Sequence, residues 1–254
     1  MWMCVFTFAS ILLGVATAKS QDDGARKILE RMASYLANQK TITATFDADI
    51  EVMTPALQKI QFTNSGELTL ARPNRLRASR VGGYSDVELV FDGTTATVLG
   101  RHNKTYAQIK APGSVDQLID LMRDEYGVTL PGADLLLTHV NDALIGDATE
   151  IRHIGRGVVD GKDCDHLAFR GSDVDWQLWV EIGPDPIPRK YVITSKAVTG
   201  APQYTLRIKN WTAGAPASAD AFAFKAPAGA KLVEIKQLAD IDEVPAGVVE
   251  GGAK

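Results

Sequence analysis

The sequence is short of the features that usually announce chemistry. Two cysteines occur among 254 residues, Cys4 and Cys164. Cys4 falls in an apolar leader, so the exported chain keeps Cys164 alone and can form no internal disulfide. Only three residues precede Cys4, too few for it to read as a lipoprotein anchor. Net charge is -4, with 27 Lys and Arg against 31 Asp and Glu. No basic surplus exists to neutralise phosphates, which excludes an ordinary nucleic-acid binder. Past the leader no run of about 18 apolar residues occurs, so no membrane-spanning helix is expected. The four histidines (His102, His139, His153 and His166) form no H-E-x-x-H pattern, and G-x-S-x-G, P-loop and dinucleotide motifs are missing. Asp163-Cys164-Asp165-His166 gathers metal-competent types, but alternate strand residues face opposite sides, so one ion could not collect all four. Asp47 and Asp49 lie on the polar face of an amphipathic strand, where solvation explains them. No catalytic residue, metal or cofactor is expected, and the chain does not read as an enzyme.

Residues 5–16 form an apolar run too short to span a bilayer, followed by the small residues Ala16-Thr17-Ala18. That is the pattern of a signal peptide cleaved after Ala18, leaving a soluble exported product. Three segments are expected: a leader at residues 1–18, one domain at 19–236 and a mobile, aperiodic tail at 237–254.

A helix is expected from Asp22 and Asp23 as N-caps to about Asn38. Ala25, Ile28, Leu29, Met32, Ala33 and Leu36 repeat on one face of it. From residue 44 the period becomes two. Ala44, Phe46, Ala48, Ile50 and Val52 alternate with Thr45, Asp47, Asp49 and Glu51, the pattern of a strand with one buried face. Strands follow at about residues 59–71, 74–80, 87–91, 95–99 and 104–109. Asp92-Gly93 supplies a hairpin turn. The helical period returns at 114–145, where Ser114 and Gln117 form a capping box and Pro131 opens a second apolar helical segment. Strands resume at about 150–159, 164–170, 174–182, 190–196 and 203–211. Phe222-Ala223-Phe224 and residues 232–235 are expected to close the sheet. The reading is mainly β (α+β): antiparallel meanders with one apolar face, an N-terminal helix, and short helices inserted between.

One residue breaks the pattern. Leu68 and Leu70 face inward, and continued alternation puts Arg72 on the same side. A guanidinium aimed at an apolar interior costs several kcal/mol unless it is paired or hydrogen-bonded. Pro73 bends the chain there, and Leu76 and Ala78 then resume the apolar face.

Three stretches together resemble the LolA/LolB-like periplasmic lipoprotein carriers. They are residues 66–77 with Arg72-Pro73-Asn74, residues 88–95 (Glu-Leu-Val-Phe-Asp-Gly-Thr-Thr), and residues 222–230 (Phe-Ala-Phe-Lys-Ala-Pro-Ala-Gly-Ala). Residues 174–180 and 188–191 are similar to an uncharacterised family of predicted bacterial periplasmic proteins. After the Asp-Gly turn, Ala96, Val98 and Leu99 stand where the carriers have aromatic residues. The resemblance spans about residues 25–236. It implies an incompletely closed antiparallel β-barrel, a hydrophobic cavity on the concave side, and a lid of short helices. In such proteins the arginine of Arg-Pro-Asn holds the lid closed until acyl chains displace it; here that is Arg72, with residues 114–145 as the lid.

The expected function is a periplasmic binding or carrier protein for a lipid, an acylated protein or another hydrophobic ligand. A monomer is expected, with an acyl-chain ligand and a lipoprotein or envelope protein as partners. The expected cavity wall is Phe46, Ile50, Leu68, Leu70, Leu76, Leu89, Phe91, Leu118, Met122, Leu135 and Leu136. A protein-interaction or stress-regulatory module on the same fold is the alternative, and a hydrolase of envelope lipids ranks last.

Overall fold

The computed structural model describes residues 15–128, 130–238, 241–245 and 247–248. The expected leader lies outside these residues up to position 14. Helix α1 (Val15–Asn38) begins earlier than its expected caps, so Asp22 and Asp23 are inside it. No Gly or Pro interrupts residues 15–23, and nothing there stops the helix from propagating toward the N-terminus.

The first meander comprises β1 (Thr41–Met53), β2 (Lys59–Ala71), β3 (Arg75–Gly82), β4 (Asp86–Phe91), β5 (Thr95–Gly100) and β6 (Thr105–Lys110). The second comprises β7 (Glu150–Val159), β8 (Lys162–Arg170), β9 (Val174–Glu181), β10 (Pro188–Ser195) and β11 (Gln203–Ala213). The two meanders join through β1, which pairs antiparallel with both β2 and β11. A two-residue strand, β12 (Lys231–Leu232), adds parallel to β6. Strand order is β12-β6-β5-β4-β3-β2-β1-β11-β10-β9-β8-β7. Among the described residues the two ends do not pair, so the barrel is incompletely closed.

That order explains the inserted helices. The chain leaves β6 near one edge and must reach β7 at the other, so the connection crosses the full width of the sheet. It crosses on the concave side, where each apolar stripe is covered. The connection holds α2 (Val115–Asp124), a single 3-10 turn at Ala133–Leu136 and α3 (Val140–Ile145). The Ser114–Gln117 capping box is present at the start of α2. The segment expected to be helical after Pro131 is shorter than expected. Gly132 has φ +84, which α-helix does not accommodate, so only the 3-10 turn forms before α3.

Two apolar clusters result. In one, Ala25, Leu29, Met32, Ala33 and Leu36 of α1 pack on Leu167, Leu178, Val180 and Ile208 of the second meander. In the other, Val115, Leu118, Ile119 and Met122 of α2 pack on Ile42, Leu70, Leu76 and Phe91 of the first.

The end of the chain differs from expectation. Residues 222–224 do not extend the sheet. Ala219–Phe222 forms a 3-10 turn with the Phe222 side chain buried, and Arg77 Nη1 donates to the Ala221 carbonyl at 3.0 Å. Arg77 points outward from β3, so this turn covers the convex face, anchored by a large apolar side chain instead of by ladder bonds. Residues 232–235 likewise leave both edges unjoined. Farther on, the segment expected to be mobile makes defined contacts in its described part. Glu243 is buried and accepts from the Ser85 hydroxyl at 2.7 Å and the Gly83 amide at 3.1 Å. Gly82 makes the approach possible, because a Cβ there would lie 1.9 Å from a Glu243 carboxylate oxygen.

Candidate functional site

Between the two clusters the concave face does not meet its cover completely. A cavity of about 340 Å³ remains, at the small end of the roughly 300–1,000 Å³ range of ligand sites. The inward-facing residues of β1 to β4 form its floor. Met122 of α2 and Leu135 and Leu136 of the insert form part of the roof, and Tyr204, Leu206 and Ile208 of β11 form a side wall. Leu36 of α1 and Ile235, Leu238 and Ile241 of the C-terminal segment also line it.

Of the residues expected from sequence, Phe46, Ile50, Leu68, Leu76, Leu89, Met122, Leu135 and Leu136 line this cavity. Leu70, Phe91 and Leu118 do not. They are almost fully buried in the cluster beneath α2, where the ends of β2 and β4 run under the helix and packing closes the space. For Leu70 and Phe91, alternation gave the side of the sheet correctly but not the depth of the insert above them, and Leu118 is on the face of α2 that packs down onto them. Sequence reasoning passed over β11 and the C-terminal segment, whose distance along the chain hides their proximity. It also missed two polar residues on the cavity floor, Asn64 and Arg80. Both share the phase of leucines that were assigned inward.

Arg72 sits beside the insert, with its side chain 10% exposed. Its Nη2 donates to the Leu137 carbonyl at 3.4 Å, and its Nη1 lies 4.0 Å from Asp116 Oδ1. Asp116 in turn accepts from the Thr138 amide at 3.0 Å and from the Thr138 hydroxyl. His139 Nδ1 is 3.4 Å from the same carboxylate. Next to this knot the Val115 amide donates to the Pro73 carbonyl at 2.8 Å. Burial pulls the Arg72 guanidinium below its usual value, and Asp116 opposes the shift. A guanidinium remains a cation in proteins, so Arg72 joins the end of β2 to both α2 and the turn after Leu136 as a charged group.

The rest of the polar inventory lies apart. Asp47 bonds Lys209 and Ser65 on the outer side of the sheet, and the Lys209 bond holds its carboxyl below the usual range. Burial pushes the Cys164 thiol up to about 11, so the thiolate that reactive cysteines need is disfavoured. His166 stacks on Trp179 and bonds Gln177, while Asp165 bonds His153. The Asp163 to His166 run therefore spends its side chains on different partners.

Residues 25–236 match the family described as predicted periplasmic protein (DUF2092). The chain belongs to that family. The family description agrees with the export expected from the leader, and the chain is periplasmic. Among the described residues no helix is long and apolar enough to cross a membrane. Comparison with curated protein sequences finds no match. Among solved structures, this DUF2092 chain is similar to an uncharacterised conserved protein from Thermus thermophilus, at 12% identity and TM-score 0.49, covering 83% of this chain and 99% of that one. LprF from Mycobacterium bovis is similar at 13% identity and TM-score 0.48, covering 78% and 96%. The Pseudomonas aeruginosa MucA/MucB complex is similar at 14% identity and TM-score 0.41, covering 80% of this chain and 62% of that one.

Proposed function

We propose that this protein binds a hydrocarbon-bearing ligand in the periplasm, as a carrier or sensor, within the cavity between sheet and insert. One observation carries the reading: a cavity whose walls are overwhelmingly apolar, built from both the half-barrel and the segment that crosses it. Each methylene transferred from water to such a site contributes about 0.8 kcal/mol, so a chain-like ligand needs little polar chemistry to bind. Native mass spectrometry of protein purified from the periplasm is expected to show a co-purifying lipid-like mass, and the uncharged dye N-phenyl-1-naphthylamine is expected to bind and fluoresce. Protein that is consistently ligand-free and dark with the dye overturns the reading.

Arg72 would act as the latch of the insert. A ligand that needs the insert raised binds with an apparent Kd divided by the fraction of open molecules. Removing the latch raises that fraction. Arg72→Leu is accordingly expected to tighten dye binding about fivefold or more and to slow release of a bound chain. A loss of stability with ligand exchange unchanged assigns Arg72 to the fold alone.

A second reading, a protein-interaction module, is favoured by exposed apolar side chains at the hairpin tips. Leu57, Val81, Tyr84 and Val198 are each about half exposed or more, and Tyr84 packs edge-on against Phe62. Cross-linking from these tips to an envelope protein, with no ligand in the cavity, would favour it.

A further inference from the structure

The floor of the cavity holds one residue that the fold by itself does not explain. Asn64 is in the middle of β2 and 3% exposed, and neither atom of its amide group has a hydrogen-bond partner among the described residues. Buried amides are ordinarily satisfied, because an unmet donor or acceptor keeps its full desolvation penalty. On this face Leu68, Leu70 and Phe62 share its phase, and an apolar side chain would pack there without that penalty. Strand pairing puts a cation beside it. Asn64 is opposite Gly82 and Gly66 is opposite Arg80, so Asn64 and Arg80 are diagonal neighbours on the concave face, within reach of one ligand group. Arg80 uses one nitrogen on the Ile241 carbonyl, while its buried Nε has no partner among the described residues. Tyr204 faces the same end of the cavity, where burial pushes its hydroxyl up to about 12 against the pull of Arg80. Asp242 also borders the cavity but is exposed to solvent, and the buried Glu243 carboxylate, over Gly82 on the same face as Asn64, spends its oxygens on the Ser85 hydroxyl and the Gly83 amide.

We infer that the cavity is amphipathic, with Asn64 and Arg80 forming a head-group site for an acyl-chain amphiphile that carries an oxyanion, a carboxylate or a phosphate. The inference rests on the reading of the cavity as a ligand site and adds the polarity and orientation of what it holds. An oxyanion accepts from the Arg80 Nε–H and the Asn64 amide N–H, charge-assisted bonds that are about twice as strong as neutral ones. The chain then runs away from β3's outer end toward Leu68, Leu76 and Met122. An ester or alcohol of the same chain would fill the apolar part but offer the Arg80 Nε–H no charged acceptor.

The test uses displacement of N-phenyl-1-naphthylamine from the full chain by dodecanoate, dodecyl phosphate and methyl dodecanoate. The expected result is about a tenfold preference for either anion over the ester; whichever anion binds more tightly separates a carboxylate from a phosphate head. In Arg80→Gln the preference falls to about one, and in Arg80→Lys, which keeps the charge, most of it remains. Asn64→Leu weakens anion binding while raising the Tm by about 2–4 °C, the signature of a polar group retained for a ligand at a cost to the fold. Equal affinity of anions and ester in the wild-type chain, with the dye still bound, overturns the head-group site and leaves the apolar cavity standing. Failure of the dye itself to bind overturns both.

Discussion

Gly66→Val is expected to destabilise the protein by about 3 kcal/mol or more, at the upper end of what overpacking costs. Gly66 is in the middle of β2, opposite Phe46 on one side and Arg80 on the other. A Cβ there would lie 2.2 Å from the Ser79 carbonyl oxygen and 2.3 Å from Cζ of Phe46. The carbonyl belongs to the backbone of β3 and cannot rotate away. The Phe46 ring, laid over the glycine as part of the cavity wall, would have to turn into the space a ligand needs. Thermal unfolding should record a Tm lower by about 10 °C, with dye binding lost in the residual folded fraction. Gly24→Ala is the matched control. A Cβ at Gly24 meets nothing within 4 Å, and alanine in a helix is favoured over glycine by about 0.5–1 kcal/mol. A wild-type melting point for Gly66→Val would mean that Phe46 does not sit over β2 as described.

Leu36→Ala and Leu29→Ala are each expected to cost about 3 kcal/mol in chemical denaturation, since both side chains are fully buried and the helix cannot collapse into the space left. They should differ in binding. Leu36 borders the ligand cavity and Leu29 does not. Deleting the Leu36 methyls therefore enlarges the site and should change dye affinity several-fold. Deleting those of Leu29 leaves a closed void under α1, with affinity unchanged. If both variants lose stability and neither alters binding, α1 is only structural and the cavity ends short of it.

The alternation that marked Arg72 as inward-facing was legible one strand farther on. Leu76, Ala78 and Arg80 share a phase, as do Asn64, Gly66 and Leu68, so the head-group pair was written in the same period-two code. It was missed because a single Asn among aliphatics carries no pattern of its own. An inward arginine also looks anomalous only once its neighbours are known to be covered. The capping box of α2 was equally legible, since Ser114 and Gln117 need only each other and the first helical turn. The 3-10 turn at Ala133–Leu136 was not, because leucine spacing cannot register the positive φ of Gly132.

What the sequence alone determined is therefore local and periodic: two meanders with one apolar face each, a helix with a greasy stripe, an apolar insert, and an arginine out of place. These follow from side-chain direction along a strand or helix, which depends on near neighbours. Strand order was decided only by tertiary structure. The pairing of β1 with β11 sets Phe46 opposite Ile208 and bonds Asp47 to Lys209, residues 162 positions apart in the chain. That pairing forces the insert to cross the concave face and brings β11 and the C-terminal segment to the cavity. Whether an inward leucine becomes core, as with Leu70, or cavity wall, as with Leu68, depends on how closely the crossing segment packs above it. No periodicity along one strand encodes the distance to a partner that the chain supplies far downstream.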